Sequence, residues 1–250
     1  MNFQATELLV IAAAGLVAGV INGTVGGGSL LTYAMLTFMG TPPVLAAATN
    51  TTGLSTGNAA ALLPHRDGAT VNLRDWRWHA VWTATGSLCG GLLLIVLPDQ
   101  VFEFVVPILL IFASVMMIRP VRSREFVTAA QGRPEGRTKS MLFLSGIYNG
   151  YFGPGQGVIA MSILFGDGRL SVGQSVVIKN LVLTLSNVVV ATLFIATGHV
   201  IWSVALVLLV SVAVGGWVGG SVAHRISPGL LRYGVAAMGL VSAVWFLVHR

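Results

Sequence analysis

Ten apolar segments separated by short polar or glycine-rich stretches run along this chain, in two sets of five. The first set covers about 8–21, 28–39, 44–63, 76–97 and 101–118, and the second about 140–151, 157–166, 172–197, 200–223 and 229–248. A helix needs about 20 residues to cross the ~30 Å hydrocarbon core of a bilayer, and the longest segments have that length. The first two segments of each set are shorter, and a glycine motif, Gly-x-x-Asn-Gly-x-x-Gly, joins them. It occurs as Gly19, Asn22, Gly23 and Gly26, running on into Gly27 and Gly28. It recurs as Gly146, Asn149, Gly150 and Gly153, running on into Pro154, Gly155, Gln156 and Gly157. This pattern predicts a helix pair that enters, breaks at the glycines and returns to the side it came from. Lipid offers no partner to open backbone, so such a break must be buried in protein or line a cavity.

The two sets read as repeats. Beyond the motif copies, further matches appear in order: Gly68 with Gly198, Gly86 and Gly90 with Gly216 and Gly220, Pro98 with Pro228, and Asn50 with Asn180. These later pairs are set three positions wider than the pair of motifs, which predicts a three-residue insertion after the second glycine motif. The expected organisation is a first transmembrane repeat over 1–118, a basic cytoplasmic linker over 119–139 and a second transmembrane repeat over 140–250. Charge gives the orientation. If each broken pair returns, each half makes three further crossings and the halves are inverted. Arg66, Arg74, Arg77, Arg119, Arg122, Arg124, Arg133, Arg137, Lys139, Arg169, Arg225 and Arg232 then all face the cytoplasm, as the positive-inside rule favours. Glu7, Asp99, Glu103 and Arg250 fall on the other side. Eight simple crossings would instead strand Arg169, Arg225 and Arg232 outside.

Composition settles the solvent. Apolar residues make up 55% of the 250, charged residues 9%, and the mean hydropathy is +0.84, whereas a soluble domain carries about 25% charged residues. The fold class is therefore all-α: a polytopic, multi-pass helical protein of the cell inner (plasma) membrane, with two inverted repeats and broken or re-entrant helices. The net charge of +6 reflects loop arginines rather than a nucleic-acid surface, because no aromatic-basic pattern accompanies it. The first residues, MNFQATELLV, lack a basic lead and a cleavage site and read as the start of the first membrane segment. Cys89 is the single cysteine and sits among small residues at Gly86 and Gly90, where it packs.

The chemistry concentrates at the breaks. Half-helix N-termini present free N–H groups and partial positive charge, which suits an anion. Gly26, Gly27 and Gly28 precede one such half-helix, and Gly155, Gln156 and Gly157 the other. Asn22 and Asn149 bring amides to matching places, and an amide is costly to bury without a partner. A second polar cluster, Thr49, Asn50, Thr51, Thr52, Ser55, Thr56 and Asn58, corresponds to Lys179, Asn180, Thr184, Ser186 and Asn187. Lys179 lies a few residues into its segment, so it either snorkels to the interface or adds a full positive charge to the site. The acidic residues all lie in loops or at segment ends. A carboxylate-based proton relay or cation site is therefore hard to build, although backbone carbonyls remain available to Na⁺. The glycine run is followed by Ser29-Leu30, not by the Lys-Ser/Thr of a phosphate-binding loop. No catalytic constellation, metal cluster or cofactor motif appears, so neither an enzyme nor a cofactor is expected. The five histidines lie near predicted segment ends, where interfacial roles are expected.

The stretches GLVAGVINGTVGGGSLLTYAMLTFMGTPPVLAAATNTT and GIYNGYFGPGQGVIAM resemble the sulfite exporter TauE/SafE family of membrane transporters, and the resemblance extends over both halves. It implies a permease for small sulfur-containing or related organic anions. The expectation is a secondary transporter moving a small anion through a site lined by Asn22, Gly26, Gly27, Gly28, Thr49, Asn50, Asn149, Gly155, Gln156, Gly157, Lys179 and Asn180. Its partners are the anionic solute and the lipid bilayer. A homo-oligomer is compatible with the chain but not specified by it. The alternatives are an anion channel and a non-transporting membrane scaffold.

Overall fold

The computed structural model describes residues 3–24, 26–63, 72–118, 134–222 and 228–248. Arg66, Gly68, Arg119, Arg122, Arg124, Arg133, Arg225, Arg250 and the side chain of Arg232 lie outside the described residues, as does most of the linker. Among the described residues all regular structure is helical. The helices are α1 Ala5–Thr24, α2 Ser29–Phe38, α3 Pro43–Gly53, α4 Ser55–Leu62, α5 Leu73–Val96 and α6 Asp99–Ile118 in the first half. The second half holds α7 Glu135–Tyr151, α8 Gln156–Phe165, α9 Val172–Ala196, α10 Trp202–Val222 and α11 Pro228–Val248. Five of them (α1, α5, α6, α9 and α10) are long and apolar enough to cross a bilayer. Large apolar side chains such as Leu9, Trp82, Phe104, Ile108, Val210 and Trp217 point outward, as a lipid-facing surface requires.

Local chemistry sets the helix ends. Ser171 and Gln174 form a reciprocal capping box at the start of α9. Asn72 caps α5 through the Arg74 N–H, and Pro43 occupies the first turn of α3. At Gly26 (φ +90°) the chain leaves α1, and its N–H donates to the Ile21 carbonyl. Gly153 (φ +90°) ends α7 in the same way, donating to the Tyr148 carbonyl. These are paired six-to-one closures of the kind that glycine makes easy, and they fall on the same position of the two motif copies.

Two boundaries differ from the sequence reading. The segment at 44–63 is not one helix: it breaks at Leu54, where the Gly57 N–H bonds back only three residues to the Leu54 carbonyl. Gly53, directly before the break, lies tight against Leu208 of α10. In the second half α7 begins at Glu135, inside the stretch read as linker, and an i,i+4 ion pair of 2.6 Å joins Glu135 to Lys139 there.

The halves interlock crosswise. α1 packs chiefly along α10, and α7 along α5. Both contacts are parallel and made of small residues: Gly15, Gly19 and Gly23 advance along Ser211, Gly216 and Gly220, while Gly146 and Gly150 advance along Thr83, Ser87 and Gly91. α5 also runs parallel to α9, with Gly91 against Val190, Leu193 and Phe194, so both helices end at one pole of the bundle. α10 starts from that pole, and α1 starts beside it. α2 ends there too, since Phe38 stacks on Trp245 and a cavity joins Thr37 and Thr41 to Glu103 near the start of α6. α7 and α8 do the opposite. The end of α8 (Ile163, Leu164) packs with the starts of α5 (Trp76, Ala80), α7 (Leu142) and α9 (Ile178) at the other pole. The two glycine-broken pairs are thus re-entrant from opposite ends.

Equivalent positions also fix the register between halves. α2 and α8 start at Ser29 and Gln156 and end at Phe38 and Phe165, keeping the separation of the two motif copies. The later pairs start at Pro43 and Val172 (α3, α9), Leu73 and Trp202 (α5, α10), and Asp99 and Pro228 (α6, α11), each set two positions wider. Gly86 and Gly90 meet the Phe143 and Ile147 carbonyls just as Gly215 and Gly219 meet those of Leu16 and Val20. The insertion is therefore two residues rather than three, and it lies in the turn between α8 and α9 (166–171 against 39–42). Asn50 then corresponds to Lys179, not to Asn180.

Candidate functional site

The broken pairs meet. A Cβ placed on Gly26 would lie 2.6 Å from the Gly157 carbonyl carbon, and one on Gly157 would lie 2.7 Å from the Gly26 Cα. No residue but glycine allows this approach at both positions, and Gly26 needs glycine for its positive φ as well. Ser29, at the first turn of α2, accepts a 3.1 Å hydrogen bond from the Gly155 N–H on the other pair. The two breaks are thereby tied to each other.

Between them lies a polar cavity of about 20 Å³, close to the space of one water molecule. Its lining is two-fold in pattern. Asn22 and Ser29 come from the first break, and their counterparts Asn149 and Gln156 from the second. Leu54 and Asn58 of the α3–α4 region are matched by Leu183 and Asn187 of α9, in the register that pairs Pro43 with Val172. Asn50, Thr51, Gly153 and Gly157 complete it. Among the described residues no carboxylate lines it, and no group of three His, Cys, Asp or Glu side chains is placed to hold a metal ion.

Hydrogen bonds fix most of these groups. The Asn22 Oδ1 accepts from the Gly28 N–H at 2.8 Å, which pins the first turn of α2. Asn149 Nδ2 donates to Asn187 Oδ1 at 3.0 Å and to Ser87 Oγ at 3.2 Å, joining α7 to α9 and α5. Asn50 Nδ2 donates to the Ser29 carbonyl at 3.1 Å, and Gln156 pairs with Ser145. The Oδ1 atoms of Asn50 and Asn58 are buried without a partner.

Of the residues singled out from sequence, Asn22, Asn50, Asn149, Gln156 and Gly157 line the cavity. Gly26, Gly27, Gly28 and Gly155 shape the breaks behind it, with Gly26, Gly27 and Gly155 at positive φ. Lys179 does not snorkel: it is fully buried, and its Nζ donates to the Asn22 main-chain carbonyl at 2.6 Å, at the C-terminal end of α1. Thr49 stands apart, its hydroxyl accepting from the Ile201 N–H at the start of α10. Asn180 is fully buried beside Lys179, and neither atom of its amide has a partner. Ser29, Thr51, Leu54, Asn58, Gly153, Leu183 and Asn187 line the cavity but were not singled out from sequence as site residues. The match of Asn58 with Asn187, in the corrected register, is the signal that would have found that pair.

A second polar cluster closes the pole where α7 begins and α8 ends. Asp167, in the longer turn, is gripped by both Nε and a terminal nitrogen of Arg169 and by the Thr138 hydroxyl of α7. Burial alone would raise the Asp167 carboxyl, but the hydrogen bonds from Arg169 and Thr138 outweigh it and hold the group below the usual carboxylate range. The Arg169 guanidinium lies 5.2 Å from the Trp76 ring centroid, and Trp76 stacks on His79 at 4.5 Å. His79 is buried beneath Trp76 at this pole. In the register that pairs Asn22 with Asn149, Ile11 stands opposite Thr138 and Gly40 opposite Asp167, so the equivalent turn of the first half carries no such lock.

A family model matches nearly the whole chain: that of the sulfite exporter TauE/SafE family fits residues 11–246. A probable membrane transporter protein of Haemophilus influenzae is 26% identical, covering 96% of this chain and 94% of its own. The probable membrane transporter protein ORF9 of a Sinorhizobium species is 28% identical over 88% of this chain and 83% of its own. The probable membrane transporter protein YfcA of Escherichia coli K12 is 29% identical, over 87% and 81% respectively. No solved structure matches the chain.

Proposed function

Because this chain belongs to the sulfite exporter TauE/SafE family, we propose that it is a secondary transporter for a small anion, a sulfur-containing oxyanion or organosulfonate, across the inner membrane. In this reading 1–118 and 140–250 are the transmembrane repeats, and 119–139 is a cytoplasmic linker whose last residues already belong to α7. The substrate site is the junction of the two breaks. The observation that carries the proposal is the meeting of Gly26 and Gly157 beside a carboxylate-free polar cavity, with the Lys179 ammonium buried against the end of α1. An ammonium without an acidic partner in a low-dielectric site draws anions strongly, and the half-helix starts at Ser29 and Gln156 add to its field.

A space of about 20 Å³ is too small for a tetra-atomic oxyanion. Admitting one requires the re-entrant pairs to part, and such an opening fits a carrier better than a permanently open pore. The test is a thermal-stability screen of the purified protein against sulfite, thiosulfate, sulfate, sulfoacetate and carboxylates. A ligand that binds only the native state raises stability by mass action. A selective, saturable shift is expected for at least one sulfur oxyanion or sulfonate, with saturable flux of the same anion in proteoliposomes. No shift and no flux across the whole panel would overturn the proposal in favour of a scaffold.

A further inference from the structure

We propose that the cavity between the two breaks is a monovalent cation site, suited to Na⁺, held entirely by neutral oxygens. Its role as a coupling site rests on the transporter reading above; the site itself does not.

Unmet acceptors point to it. Asn50 and Asn58 line the cavity, are 1% and 3% exposed, and each buries an Oδ1 that accepts nothing. A buried carbonyl oxygen without a partner is destabilising, and an anion cannot relieve it. What relieves it is a cation or a donor. The Asn50 amide cannot simply be turned over, since its Nδ2 is already committed to the Ser29 carbonyl. Around the same space the Ser29 hydroxyl and Asn187 Oδ1 each accept one hydrogen bond and keep a second lone pair. The lining thus offers four oxygens with spare acceptor capacity, three from the first half and one from the second.

Size and charge select the ion. A space of about 20 Å³ admits one water-sized particle and no oxyanion. Divalent ions take carboxylates in their shells, and none lines this cavity. Neutral amides and hydroxyls fit a singly charged hard cation instead. The ends of α1 and α7 both stop here, and the carbonyl ends of broken helices favour positive charge. Lys179 demonstrates that preference, because its ammonium is held by the Asn22 carbonyl in the last turn of α1. Lys179 does not line the cavity, but its charge opposes a second cation nearby, so the site is a weak and releasable one.

The test measures thermal stability of the full-length protein in NaCl, titrated against choline chloride at constant ionic strength with chloride held fixed. A saturable Na⁺-dependent rise is expected, and it should be lost or need at least tenfold more Na⁺ in Asn58→Leu. Asn58→Asp, which adds a charge without changing shape, should need several-fold less Na⁺ than the natural protein. Identical melting in Na⁺ and choline at every concentration, or an undiminished Na⁺ response in a folded Asn58→Leu protein, overturns the proposal. If Asn58→Leu fails to fold, the natural protein and Asn58→Asp decide the matter alone. Because no anion is varied, this result is independent of the oxyanion screen, and either reading can fail without the other.

Discussion

Lys179 is the residue on which electrostatics and packing make opposite demands. Its side chain is fully buried, its ammonium donates to the Asn22 carbonyl, and among the described residues it has no carboxylate partner. Burying a charge with so little compensation is costly. Lys179→Met keeps the volume and removes the charge, so it should raise the melting temperature while lowering anion flux at least tenfold. Stability by thermal scanning and flux in proteoliposomes would be read on the same preparation. A merely structural lysine would lose both together, and flux that survives in Lys179→Met removes the residue from the mechanism. Sequence made this residue visible through its setting in an apolar run. Its partner was not visible, because Asn22 lies in the other half of the chain and meets Lys179 only when α1 stops at the depth of α9 where Lys179 sits.

At the scale of elements, glycine contacts and one longer turn decide the arrangement. Gly150 on α7 faces the Ser87 carbonyl so closely that a methyl group has no room, and the obstacle is backbone. Gly136, near the start of the same helix, has nothing within 4 Å of a Cβ. Gly150→Ala should therefore destabilise by roughly 1–3 kcal/mol through overpacking, while Gly136→Ala stays neutral or gains slightly from helix propensity; equal effects would contradict the contact. The turn lock makes a pH prediction. Asp167 has its carboxyl held down in the folded state, so its contribution is present above the ordinary aspartate value near 3.9 and is lost as pH falls through the lower folded value. Asp167→Asn should cost about 1–3 kcal/mol at neutral pH, and the gap from the natural protein should close in acid. A gap independent of pH would mean the charge is irrelevant.

The same elements show what the chain reveals by itself. The re-entrant pairs were legible because Gly26 and Gly153 both need positive φ at the same place in a repeat, which leaves a glycine signature. The break at Leu54 was not legible. It carries no proline, and Gly53 beside it lies against Leu208, a residue of the other half. The size of the insertion is hidden for a similar reason: glycines at successive turns, Gly215, Gly216, Gly219 and Gly220, offer two registers one residue apart, and only packing against Leu16 and Val20 selects between them. That single-residue slip pairs Asn50 with Asn180 and conceals the match of Asn58 with Asn187.

For the whole molecule, the crosswise packing of α1 on α10 and α7 on α5 means that neither half folds around its own broken pair. Outside α9, every Lys or Arg with a described side chain lies towards one pole: Arg74 and Arg77 at the start of α5, Arg137 and Lys139 at the start of α7, and Arg169 in the turn after α8. In the reading proposed above that pole is the cytoplasmic one, as the positive-inside rule favours. With Cys89 replaced by Ser, a cysteine at Gln100, exposed at the start of α6, should react with an impermeant maleimide in intact cells. A cysteine at Gly173, which has nothing within 4 Å of a Cβ, should react only after permeabilisation. The reverse labelling would invert the orientation.

For the carrier proposed above, the two additional residues between α8 and α9 would set a resting preference. Two interchangeable halves would make the inward and outward poses equal in energy. Among the described residues, the ion pair and hydroxyl bond around Asp167 stand at one end only, and that difference would remove the equality. If Asp167 and its partners contribute ~2 kcal/mol, the latched pose outnumbers its mirror by about thirtyfold. The less favoured pose then holds a few per cent of the molecules, rare at rest yet close enough for a bound solute to recruit.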